Sequence, residues 1–341
     1  MSRTLDPRAW LVWMLAASLP ALIGRNPFVL VATLLAVLGA RAAWGTAPRV
    51  ASWRVVVRLA VWFAAIAVLF NLLTAHAGDR VIAELPAHIP IIGGILTVNA
   101  LVYGLLSGLA LVTLVLIGTT VAAVLDWTSL LRLLPPRLTL LAVAGSVAWA
   151  MVPQTIAAYA EIREAQLGRG HRTRGVRGFV PLLVPLLAGG LERSFLLAEA
   201  LEARGFGAQP ATPPPWSRGQ SILTGCGLTA ATIGAYLLAV GQPLAAIVLV
   251  LAGSVAFAIG SRESRSALQI QRTRYREIVW ARPEWIITGA AAVVLAVEIA
   301  VLAVDPAAFA YDPYPSLAAP PVNLPLLAAL GFLLAPALVT P

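Results

Sequence analysis

From Asn99 to Leu125 the chain carries no charged residue. Crossing the hydrocarbon core of a bilayer takes about 20 mostly apolar residues in a helix. Apolar stretches of this kind recur along all 341 residues, and only 11% of the residues are charged. Soluble domains carry roughly 25% charged residues. Water is therefore not the main solvent of this chain. The fold class expected is all-α: a polytopic membrane protein.

The formal net charge is +9. In a soluble protein that excess would suggest nucleic acid, whereas in a membrane protein it marks the cytoplasmic side. No nucleic acid is expected as a partner. All 24 basic residues are arginine. A phosphate-cradling Walker A loop ends in Gly-Lys-Ser/Thr, so the chain cannot itself be a P-loop ATPase, and any ATP-driven work falls to a partner. The lone cysteine, Cys226, permits neither an intrachain disulfide nor a cysteine metal cluster, and reads as a buried structural thiol.

Three regions emerge from the pattern. Residues 1–125 form an N-terminal membrane domain of about four spans. A helical hairpin over Ala9 to Gly24 and Pro27 to Ala43 turns at Arg25-Asn26-Pro27, with further spans at Val55 to Thr74 and Asn99 to Leu125. The first run resembles a signal sequence, but the immediate second run argues against cleavage. An external loop lies between the last two of these spans. Residues 126–218 hold ten of the 24 arginines and five of the ten glutamates, among apolar stretches at Leu138 to Ala158 and Phe179 to Leu197. Residues 219–341 carry three to four further spans, the last at Val322 to Val339. With a cytoplasmic N-terminus and residues 126–218 wholly cytoplasmic or interfacial, 22 arginines lie inside and only Arg25 and Arg80 outside, as the positive-inside rule asks.

In the middle region Glu164-Ala165 leads to Arg169-Gly170, and Glu199-Ala200 leads to Arg204-Gly205. Glycine after a helix adopts the left-handed conformation that ends it. Arginine in the last turn meets the negative end of the helix dipole. Either motif alone reads as an ordinary helix end. As a pair, two long helices each present a cation on the cytoplasmic side, which suits a partner with two similar grooves. Arginine can bond a carboxylate bidentately there.

These residues resemble the transmembrane T component (EcfT family) of energy-coupling factor (ECF) transporters. That family carries two Ala-Arg-Gly motifs at the ends of two coupling helices. The second is intact here as Ala203-Arg204-Gly205, and the first reads Gly168-Arg169-Gly170. The opening Leu5 to Leu11, "LDPRAWL", resembles the family's start, with Trp10 in place of lysine. The resemblance covers about residues 5–207. It implies a non-enzymatic scaffold without a cofactor, multi-pass in the bacterial inner membrane. Its partners would be the lipid bilayer, two ATP-binding-cassette ATPase subunits and an S component that binds a vitamin or a transition metal ion. Arg169 and Arg204 would dock on the ATPases, Gly170 and Gly205 would close the helices, and Ala203, Glu164, Glu199 and Glu202 would support them. Three or four apolar runs after the second motif exceed the family's usual single span.

His76, His88 and His171 are too scattered for a metal site. Glu298 sits in an apolar span, near its external end. Ser146 within "AGSVAW" reads as helix packing rather than as a nucleophile, and Trp44, Trp53 and Trp280 suit an interfacial aromatic belt. The arginine run Arg169 to Arg177 also suits anionic headgroups. The alternative reading is a polytopic membrane transferase acting on a lipid pyrophosphate. It would need clustered acids to hold magnesium, and the five aspartates are isolated. An ion-coupled transporter would need paired intramembrane charges, and only Glu298 offers one.

Overall fold

The computed structural model describes residues 6–44, 53–86, 93–125, 127–131, 133, 139–170, 176–205, 218–239, 242–262 and 280–339. Twelve helices succeed one another among them: α1 (Pro7–Ile23), α2 (Pro27–Trp44), α3 (Trp53–Thr74), α4 (Val98–Val124), α5 (Trp127–Leu131), α6 (Thr139–Gly168), α7 (Val180–Ala203), α8 (Arg218–Ala239), α9 (Pro243–Arg262), α10 (Arg282–Val304), α11 (Leu324–Leu330) and α12 (Ala335–Leu338). Among the described residues six helices are long and apolar enough to cross a membrane: α2, α4, α7 and α10 in full, α3 from Val55 and α6 from Leu141. The chain is an all-α polytopic membrane protein.

Contacts divide the chain into two units. The first comprises Met1–Ser129, Ala231–Leu251 and Thr273–Pro341, and the second Leu130–Ala230 and Ala252–Arg272. The divide differs from the three sequence regions because helix contacts join segments distant along the chain.

In the first unit, α1 and α10 run parallel. Trp280 donates to Asp6 Oδ2 at 2.8 Å where both helices begin, and Asn26 donates to the Ala308 carbonyl at 2.8 Å just past their ends. The core lies between α1, α2, α10 and the C-terminal helices. Ala9, Ala16 and Ala17 keep α1 thin there, while Trp10 and Trp13 fill the space at 0% exposure. Small residues matter because apolar side chains gain nothing over lipid by burial alone, so close van der Waals packing must hold the helices. Trp10 meets Trp13 and Trp44 edge to face, with centroids 5.5 and 5.6 Å apart.

The hairpin of α1 and α2 forms as expected. The loop after α3 pairs two short antiparallel strands, β1 (Val81–Glu84) and β2 (Ile95–Thr97). Helix α3 packs on α4 through Gly104 and Gly108. A Cβ on Gly104 would lie 2.9 Å from Val68 Cα, and one on Gly108 3.1 Å from Ala64 Cβ. Four-residue spacing of glycines sets both on one helix face, where backbones approach closely.

The last apolar run is not one helix. It breaks into α11, a 3-10 turn over Gly331–Leu334, and α12. Pro336 has no N–H to continue the ladder, and glycine at 331 weakens the helix ahead of it. Cys226 is exposed, against the buried thiol expected, because it lies on a face of α8 that no described residue covers.

Candidate functional site: two capped helix ends

Helices α6 and α7 belong to the second unit and contact each other. Tyr159 and Phe179 pack with ring centroids 6.3 Å apart. Beyond a few half-buried positions the two helices have little cover: within their apolar stretches, 0% of α6 and 6% of α7 is buried. Each is free of charge in its first part. Charge enters α6 at Glu161 and α7 at Glu192.

The two ends close alike at the glycine, whose N–H bonds the carbonyl three residues back in each. Arg169 N donates to the Ala165 carbonyl at 3.2 Å and Gly170 N to Leu167 at 3.0 Å. At the second end Arg204 N donates to Leu201 at 3.1 Å and Gly205 N to Glu202 at 2.8 Å. Gly170 stands at φ +79° and Gly205 at φ +74°, both in the left-handed region. An L side chain is strained there by about 1–2 kcal/mol, which explains glycine at both positions. A Cβ on either glycine would meet nothing within 4 Å, so conformation rather than crowding selects the residue.

The structure places Arg169, Gly170, Ala203, Arg204 and Gly205 in exposed terminal turns, with Glu164, Glu199 and Glu202 exposed within the last two turns of their helices. Gly168, where the second motif has alanine, also meets nothing within 4 Å of a built Cβ. Among the described residues neither the Arg169 nor the Arg204 guanidinium forms an ion pair or hydrogen bond. Each is an exposed cation at the negative end of a helix dipole, and no described residue holds it away from an incoming carboxylate. Residues 171–175, which hold His171, Arg172 and Arg174, lie outside the described residues, as does His88.

The other singled-out residues have structural surroundings. Asp6 caps α1 by accepting from Arg8 N at 2.9 Å, which gives the family-like opening a local role. Trp44 donates to the Pro336 carbonyl at 2.7 Å, and Trp280 to Asp6. Both indoles therefore bond protein groups. The side chain of Trp53 lies outside the described residues. Ser146 Oγ donates back to the Val143 carbonyl at 2.8 Å, as helix-interior serines do. His76 Nδ1 lies 3.3 Å from the Ile95 carbonyl. Among the described residues no three His, Cys, Asp or Glu side chains gather as a metal site.

Sequence reading missed the polar ties that join the C-terminal segment to α1, α2 and α4. Asn26 Nδ2 reaches the Ala308 and Pro321 carbonyls, both at 2.8 Å. Asn99 Nδ2 reaches Asp79 Oδ1 at 3.0 Å and the Pro313 carbonyl at 2.7 Å. No local signal marks such pairs, although asparagine just outside an apolar run invites the question. Glu298 is fully buried, and neither carboxyl oxygen has a hydrogen-bond partner among the described residues.

Residues 1–214 match the family model CbiQ, described as cobalt transport protein. The match includes both Arg-Gly helix ends and stops before α8. No curated protein matches the chain.

Proposed function

The chain belongs to the CbiQ cobalt transport family, which corresponds to the T component of ECF transporters, and from that premise we propose that it couples an ATPase pair to uptake of a vitamin or a transition metal ion. As a family member it is a component of a membrane transporter. The finer reading gives it two nucleotide-hydrolysing partners and a separate S component that holds the cargo. The family description favours a transition metal ion as that cargo.

One observation carries this reading: α6 and α7 end in matching left-handed caps, each presenting an arginine that no described residue pairs. A planar guanidinium at a rigid helix end can take a carboxylate through two parallel hydrogen bonds, about twice as strong as neutral ones. Two such anchors on packed helices transmit force only if the partner presents its grooves differently in two states. An ATPase pair that closes on nucleotide meets this condition. Closure would then shift α6 against α7 and tilt the S component. On this reading the two arginines and the N-terminus lie on the cytoplasmic side of the cell membrane, where ATP is available.

The test is purification of the tagged full chain in mild detergent, with mass spectrometry of whatever accompanies it. Two ATP-binding-cassette subunits and a small membrane protein are expected. Recovery of the chain without any ATPase, even on co-expression of candidate pairs, would contradict the coupling role.

A further inference from the structure

Docking of the α6 and α7 ends on ATP-hydrolysing subunits, the function proposed for the chain, is the premise on which a second anchor rests. The helix ends match at the closing Arg-Gly and at the Glu-Ala that begins five residues before the arginine, Glu164-Ala165 and Glu199-Ala200. Further back they diverge. Counted from the arginine, α7 has Glu192, Phe195 and Leu196 where α6 has Ala157, Ala160 and Glu161.

Helix α7 is covered along one stripe. Leu182, Leu186, Arg193, Leu197 and Leu201, spaced four or seven residues apart, are buried or half-buried. At about 100° per residue, Phe195 falls opposite this stripe, with Glu199 and Glu192 beside it and Ala203 and Leu196 toward the edge of that face. All five are exposed, Phe195 at 67% and Leu196 at 60%. Neither solvent of a membrane protein suits this face. Two carboxylates within two turns oppose acyl chains, and they repel an anionic headgroup surface. Leu191, Phe195 and Leu196 together oppose water. A protein groove with an apolar pocket and cationic rims satisfies both halves.

We propose that Phe195, flanked by Glu192 and Glu199, anchors the α7 end in an apolar pocket rimmed by basic side chains on one ATPase subunit, so that the two helix ends are not interchangeable. Helix α6 has alanine at the position of Phe195 and lacks this anchor. A buried aromatic contact of this kind dominates an interface, and its truncation costs about 2 kcal/mol or more.

The test uses the full chain with the ATP-binding-cassette pair that co-purifies with it. Phe195→Ala with Glu192→Arg is expected to weaken binding of the pair by about 30-fold, the fold-change equivalent to that energy. A spin label on a cysteine at position 195, with Cys226→Ala, is expected to lose mobility when the pair is added. Wild-type affinity in Phe195→Ala/Glu192→Arg, while Arg204→Glu abolishes binding, would overturn this inference and leave the docking reading intact. A label already immobile and open to lipid-dissolved oxygen without the ATPases would assign the face to lipid and overturn it too. If the wild-type chain retains no ATPase, both readings fall.

Discussion

The indole N–H of Trp13 donates to the carbonyl of Leu333 at 2.9 Å, joining residues 320 apart in sequence. Trp44 makes the equivalent bond to Pro336. Together they hold the broken C-terminal helix against α1 and α2. The segment beyond the family match is thus part of the same core as the N-terminal hairpin. Deleting residues 280–341 would expose the Ala9, Trp10, Trp13, Ala16 and Ala17 face. The truncated chain is expected to aggregate in detergent, read by size-exclusion fluorescence. A monodisperse truncated protein would contradict this.

Asn26 tests the same join at a single residue. It is 1% exposed and gives both side-chain protons to carbonyls of the C-terminal segment. Asn26→Ala leaves two acceptors without a donor, and each such loss costs about 1–3 kcal/mol. A large fall in melting temperature is expected, with Asn26→Asp little better because it has lost the donors.

Gly104 and Gly108 predict a local failure. Leucine at either position would force α3 away from α4, since a Cβ alone already meets Val68 or Ala64. Gly108→Leu is expected to raise thiol labelling of a cysteine placed at Ala64, measured in a Cys226→Ala background. Unchanged labelling would mean that the helices do not depend on this contact.

Glu298 yields a prediction of opposite sign. Its carboxyl is fully buried without a hydrogen-bond partner among the described residues. Replacing such a group by an apolar one of similar size is neutral or stabilises, by about 1–4 kcal/mol where buried charges have been exchanged. Glu298→Met is therefore expected to keep or raise the melting temperature. A clear fall would show that the carboxyl serves a bound partner.

The helix ends were legible in the sequence because their chemistry is local. An arginine, a glycine and a charge-free run before them determine where α6 and α7 stop and how they are capped. The α1–α2 hairpin was legible for the same reason. The broken last run was half-legible: Gly331 and Pro336 stand in plain view, but apolar length alone suggested one span. The Gly104–Gly108 spacing was visible as well, though only the structure names Ala64 and Val68 as its partners. Asn26, Asn99, Trp13 and Glu298 were not legible, since their roles depend on which segments meet in space. Cys226 was misplaced by a general tendency of free cysteines to be buried, which says nothing about which side of α8 a neighbour covers.

On the proposed function, Arg169 and Arg204 hold the ATPases. Arg169→Glu/Arg204→Glu reverses both charges at exposed helix ends, so insertion and melting temperature should stay near wild type. The measurement is co-purification of the ATP-binding-cassette pair with this double variant against wild type, at equal expression. Loss of the pair from the double variant, with an intact membrane-inserted chain, is the predicted result. Retention of the pair at wild-type level would contradict the account.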